Sequence, residues 1–254
     1  MTMILYDGSY EGFYSAVFEI YEYKIADPFI QKGDMVNGSL FGHTHTTITS
    51  AQKSARVYNK LKDKISRNAL HQVYSTFLSG EKKVENVLFS YIQYAINSRT
   101  AVENDYSNTD VLMVQQMSRK VHREKHRMEA FVRFQLTRDK LYYSIIQPDF
   151  NVLPLISKHF EDRYADQCWL IYDITRKYGI YYNLDRVEEV EIHFNPDTGN
   201  SDSLHVINDE KEELYQKLWQ QYFSSVNIDA RKNMKLHIQH MPKRYWKYLV
   251  EKKG

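Results

Sequence analysis

The sequence predicts an α+β fold, with a mainly helical N-terminal half and, in the C-terminal half, an antiparallel β-sheet with flanking helices. Three observations predict it. Between residues 9 and 98 the apolar residues recur at helical spacing, interrupted only by a loop and one short strand pattern. Between 131 and 194 the pattern changes to short alternating or β-branched runs separated by turns. From 209 to 226 helical spacing returns, in Leu214, Leu218, Trp219, Tyr222, Phe223 and Val226 behind an acidic first turn, which the helix dipole favours.

Taken in order, Met3 to Tyr6 reads as a strand and Asp7-Gly8 as a turn. Ser9 then caps a helix to about Lys24, with Phe13, Ala16, Val17, Ile20 and Tyr21 on one face. Residues 27–40, with Pro28, Gly33 and Gly38, read as loop, and Phe41 to Thr49 as a strand. Ser50 caps a helical region to about Ser98, broken near Ser66 and at Ser79-Gly80. A helix from Asp110 to Met128 leads into a hairpin, Phe131 to Leu136 and Leu141 to Gln147. A helix capped by Asn151 follows Pro148, with Pro154 tolerable in its first turn. Trp169 to Thr175, Gly179 to Asn183 and Val187 to Phe194 supply up to three further strands, and a last helix starts near Pro242. No repeat or flexible linker divides the chain. It reads as a single domain over 1–254, or, if subdivided, as a helical part over 1–109 and a sheet-containing part over 110–254.

Composition narrows the class. The chain has 254 residues, 43% of them hydrophobic and 14% aromatic, which argues against disorder. A single cysteine, Cys168, excludes an internal disulfide, and a Cys-rich zinc site or an iron–sulfur cluster held by this chain alone. No signal-peptide pattern and no apolar run of membrane-spanning length is evident, so a soluble cytoplasmic protein without membrane contact is expected.

Charge is segregated. From Arg231 onward there are eight Lys or Arg against one acid, Glu251, in a chain whose total is only +2. Tyr245, Trp246 and Tyr248 are interleaved with them. Arg119 to Lys140 is also basic, whereas Asp185 to Glu213 carries ten acids and two bases. Cations release counterions from phosphates and aromatic faces stack on unpaired bases, so the tail fits nucleic acid. It equally fits a C-terminal helix that buries Tyr245, Trp246 and Leu249 and wets its lysines.

On the helix before the hairpin the apolar stripe Val114, Met117, Val121, Met128, Phe131 is interrupted by Glu124. A carboxylate on a buried face needs a partner, and Arg127 or Arg133 could supply one. Glu124 is then either a structural clamp or a perturbed acid or base at a site. His122 and His126 lie four apart, as do His159 and Arg163, and His43 and His45 share a strand face. Without a carboxylate or thiolate at ligand spacing, no metal and no cofactor is expected. Arg176 and Lys177 fall in the turn between two strands. No phosphate loop, nucleophile elbow or cysteine-nucleophile signature is present.

Several segments carry a family resemblance: Tyr6-Asp-Gly-Ser-Tyr-Glu-Gly-Phe13, Glu124 to Phe134, Pro148 to Leu153, His159 to Arg163, Trp169 to Asp173, Arg176 to Ile180, and Arg231 to Trp246. In these the chain resembles an uncharacterised bacterial family associated with DNA metabolism or repair. Its members are typically encoded beside a radical-SAM protein associated with DNA modification or repair, and related domains are fused to uracil-DNA-glycosylase-like modules. The resemblance implies a context, not a reaction. With one cysteine here, any radical-SAM chemistry would belong to the partner. The leading expectation is a DNA-binding accessory in which Arg127, Arg133, Arg163, Arg176, Arg231, Lys243 and Arg244 contact phosphate. Trp246 or Tyr245 would stack on a base, and Asn233 would position a nucleotide edge. Seven phosphate contacts imply a log–log salt slope of about −5 on single strands. Two alternatives stand beside it: a nuclease or base-processing hydrolase using Glu124 with His126, His159 or Asp173, and a protein-docking subunit whose basic tail never meets DNA.

Overall fold

A computed structural model of the chain describes residues 1–33, 43–137, 140–191 and 241–249. The fold is α+β, and it divides into two compact units, Met1–His122 and Arg123–Gly254. The division falls inside a helix that the sequence reading places whole in its second part.

The first unit runs β1 (Thr2–Tyr6), α1 (Tyr10–Glu22), β2 (Pro28–Lys32), β3 (His43–Thr46), α2 (Ala51–Lys62), α3 (Arg67–Phe77) and α4 (Val84–Asn97), and ends within α5 (Thr109–Phe131). Its three strands form a parallel sheet in the order β2-β1-β3, with Ile4 opposite both Ile30 and His45. Residues 27–40, read as loop, thus contain a strand. Pro28 is tolerated there because it opens an edge strand, where its missing N–H withdraws nothing from the ladder. That edge is closed by a side chain: Asn86 Oδ1 accepts from Ile30 N (3.0 Å) and its amide donates back to Ile30 O (3.0 Å).

The helix starts follow the capping serines. Ser9, Ser50 and Ser66 each accept a backbone N–H of the first turn they precede. The turn between β1 and α1 is built around Asp7. One carboxylate oxygen accepts from Ser9 N (2.9 Å) and Ser9 Oγ (2.7 Å), the other from Thr49 Oγ1 (2.7 Å). A Cβ on Gly12 would stand 2.1 Å from that carboxylate, so any larger residue here would have to displace it from its hydrogen bonds. Burial works to raise the Asp7 carboxyl, and the bonds from Ser9 and Thr49 overcome it, leaving it below its ordinary value of 3.8. A group depressed in the folded state contributes stability above its unfolded value and loses it as pH falls through the folded one. Asp7→Asn is therefore expected to lower the melting temperature at pH 7, with the gap to the parent closing as pH is taken below 3.8. Thermal melts at the two pH values check this, and a constant gap would contradict it.

The second unit takes the rest of α5, then β4 (Gln135–Leu136), β5 (Tyr142–Ile146), α6 (Leu153–Arg163), β6 (Trp169–Asp173), β7 (Tyr178–Tyr182), β8 (Val187–Val190) and a 3-10 helix, Lys243–Tyr248. The five strands form one sheet in the order β4-β5-β6-β7-β8. Three pairings are antiparallel, as the sequence predicts, but β5 and β6 run parallel with Ser144 opposite Ile171. The reason is α6, which connects the two strands as a crossover and returns the chain in its original direction. Pro154 sits in the first turn of α6, whereas Asn151 does not cap it; Val152 stands at the cap and Asn151 accepts from the Tyr178 hydroxyl. The core centres on Trp169, fully buried against Phe134, Phe160 and Tyr182. The amphipathic helix expected over 209–226 lies outside the described residues. Among the described residues, no helix is long and apolar enough to cross a membrane.

Candidate nucleic-acid interface

The interruption in the α5 stripe is the base of the site. Glu124 is 1% exposed, and both of its oxygens are occupied. Oε1 accepts from Asp149 N (2.9 Å) and the Tyr245 hydroxyl, while Oε2 accepts from Arg127 Nη1 and Arg244 Nη2, each at 3.2 Å. Of the two arginines the sequence offers, Arg127 is bonded to it. The Nη1 of Arg133 is taken by the carbonyls of Ala130 (2.6 Å) and Val132 (3.2 Å) at the end of α5.

Every polar group of Asp149 is held. Its N–H goes to Glu124, its carbonyl accepts from Arg176 Nη2 (2.9 Å), and its carboxylate meets Arg244 Nη2 at 2.5 Å. Arg176 also reaches Pro148 O (3.2 Å) and is fixed in turn by fully buried Asp173 at 2.7 Å. The other Asp173 oxygen accepts from Thr175 N (2.9 Å) and Arg176 N (3.3 Å), shaping the β6–β7 turn. The Pro148–Asp149 turn is thus clamped from two sides by two carboxylate–arginine pairs.

The 3-10 helix lies against this turn. With three residues per turn it presents three faces. Tyr245 enters the core and is 2% exposed. Arg244 and Lys247, three apart, face the cleft, and Lys243 and Trp246 share the next face, the ammonium 5.9 Å from the indole centroid. Lys247 Nζ and the Tyr248 hydroxyl both donate to Gln147 Oε1, at 2.6 and 2.9 Å. Burial and then the Glu124 carboxylate push the Tyr245 phenol well above its ordinary value. Burial alone would lower Arg244, but Tyr245, Glu124 and Asp149 together raise it, so its charge is permanent. The resulting cleft has a volume of about 630 Å³ and is lined by Gln147, Pro148, Asp149, Thr175, Lys243, Arg244 and Lys247. Its charges do not cancel. Among the described residues, Glu124 and Asp149 are balanced by Arg127 and Arg244, and no carboxylate stands against Lys243 or Lys247.

The remaining predicted residues are elsewhere. His126 Nδ1 lies 3.1 Å and His159 Nδ1 4.0 Å from the carboxylate of Glu129, which also takes Lys125 at 2.9 Å. These two histidines flank Glu129, a residue the sequence reading passed over, and not Glu124. His122 meets Ser75 Oγ (3.4 Å), and His45 meets Glu19 (2.7 Å). Among the described residues no three His, Cys, Asp or Glu side chains gather as metal ligands would. Arg163 is exposed, its guanidinium 5.7 Å from the Tyr164 ring centroid. Arg231 and Asn233 lie outside the described residues. Sequence reasoning missed Asp149, Gln147, Thr175 and Lys247. Only the helical register of Lys247 with Arg244 could have pointed to one of them.

The architecture defines a small α+β protein with a basic cleft built over a clamped turn. A family model described as a domain of unknown function, DUF4130, matches residues 82–251, and the chain belongs to that family. Comparison with curated proteins and with solved structures returned no match.

Proposed function

We propose that this protein binds nucleic acid, DNA in the first instance, as an accessory of a repair or modification system, and that the cleft beneath the 3-10 helix engages phosphate. The observation that carries this is the pair Lys243 and Lys247, without a carboxylate partner among the described residues, on a helix anchored through Tyr245 and Arg244 to a buried carboxylate. Anchoring lowers the ordering cost of binding, and ammonium groups suit phosphate as point charges. Trp246 is partly exposed beside Lys243 and offers a stacking face, which buried Tyr245 does not. In this reading the radical-SAM protein that the resemblance implies supplies any cluster chemistry, because Cys168 alone cannot hold a cluster. Glu124 and Asp173 serve the proposal by holding the cleft in shape. Their oxygens are engaged by protein donors, which does not favour a hydrolytic role.

The geometry also changes the expected salt dependence. Arg127, Arg176 and Arg244 are paired with carboxylates, and Arg133 is engaged by backbone carbonyls. Among the described residues, Lys243, Lys247 and Arg163 keep a charge that no carboxylate matches and so count toward the slope, and Arg231, outside those residues, keeps its expected contact as a fourth. Four contacts imply a log–log slope of about −3 on single strands, not −5. Fluorescence anisotropy of labelled single-stranded DNA with the full chain across a salt series measures it. Absence of binding at low salt would sink the proposal in favour of the protein-docking alternative.

A further inference from the structure

We infer that the cleft takes a terminal phosphate, a phosphomonoester at the end of a strand or on a free nucleotide, in preference to a run of internal phosphodiesters; this rests on the nucleic-acid reading above. Three features point there. The first is local charge. Once each arginine at the cleft is matched with its carboxylate, two lysines that line the same pocket are left over among the described residues. An internal phosphodiester carries a single negative charge, whereas a phosphomonoester carries about −1.5 to −2 near neutral pH. The uncompensated charge matches the second.

The second feature is the donor set. A terminal phosphate presents three strong acceptor oxygens. Arg244 makes its described bonds through Nη2, so among the described residues its Nε and Nη1 stay available alongside the two ammonium groups. Thr175 also lines the wall. Arg244 itself is held in place by Glu124, Asp149 and Tyr245, so these donors are positioned before the ligand arrives. The third is shape. A pocket of about 630 Å³ is the size of a compact ligand site, whereas proteins that follow a strand use an extended groove.

The test uses the full chain and short single-stranded oligonucleotides of one sequence, with a 5′-phosphate, a 3′-phosphate or neither, followed by fluorescence anisotropy at fixed salt. One of the phosphorylated strands is expected to bind about tenfold or more tightly than the strand with hydroxyl ends, as an added set of charge-assisted bonds implies. The double substitution Lys243→Gln with Lys247→Gln, at exposed positions, should erase that preference without changing the melting temperature. Competition with dAMP, and with deoxyadenosine as its control, separates the sources. Displacement by dAMP alone supports a nucleotide ligand, and a preference that resists dAMP supports a strand end. Equal binding of all three strands overturns the inference and leaves the nucleic-acid reading standing. Binding of none overturns both.

Discussion

Glu124→Ala is expected to lower the stability of the chain by about 3–5 kcal/mol, the usual cost of removing one partner from a buried charge pair. The substitution strands more than one group. Arg127, Arg244, the Tyr245 hydroxyl and the Asp149 amide all lose their acceptor, and Tyr245 lies in the core. Denaturant unfolding monitored by tryptophan fluorescence reads the loss. Glu124→Gln keeps the volume but turns an amide toward two guanidinium groups; a cost of about 1–3 kcal/mol is expected, that of a disrupted buried hydrogen-bond set. The pair of variants separates a clamp from a catalyst. A clamp makes both variants unstable in this order and weakens DNA binding with them. If Glu124→Gln unfolded like the parent while abolishing a turnover, Glu124 would be an acid or base and the clamp would be wrong.

The parts of this architecture that the sequence displayed are those whose physics is local. Ser9, Ser50 and Ser66 announce helix starts because a capping hydroxyl bonds within its own first turn. Glu124 was visible because the stripe around it is periodic, so a carboxylate in that register must be buried and must find partners. Arg127 was visible as a partner because it is one helical turn away. Arg244 and Tyr245, more than a hundred residues along the chain, were not, since nothing in helical register predicts which distant segment returns to cover a buried acid. Strand direction is non-local in the same way. The β5–β6 pair could be read as two strands but not as parallel, and β2 was hidden because five residues beginning with proline look like a loop.

The cations carry a second lesson. Four arginines expected on phosphate, Arg127, Arg133, Arg176 and Arg244, each bond to carboxylates or backbone carbonyls. A planar guanidinium with five donors suits such internal clamps, while a lysine gains less from fixed partners and stays at the surface. Charge density along the sequence counts both kinds alike. Only the fold divides the basic tail into Arg244, which organises the cleft, and Lys243 and Lys247, which line it with no carboxylate partner among the described residues.

Asp173→Ala is the second large effect, again about 3–5 kcal/mol, because Asp173 is fully buried and the change leaves Arg176 without its carboxylate and the amides of Thr175 and Arg176 without their acceptor. Its consequence for Glu124 is more telling than its size. Arg176 holds the carbonyls of Pro148 and Asp149, while Glu124 holds the Asp149 amide, so the two acids grip one turn from opposite ends. Two groups that share a partner do not contribute independently. In a double-mutant cycle with the milder Glu124→Gln and Asp173→Asn, the combined loss of stability should therefore fall short of the sum of the single losses by about 0.5–3 kcal/mol, since the second substitution acts on a turn already loosened by the first. DNA affinity measured on the same four proteins should follow the same pattern, because the turn forms part of the cleft. Strict additivity in both measurements would mean that the two carboxylates hold separate structures, and that the clamped turn is not the base on which the basic cleft depends.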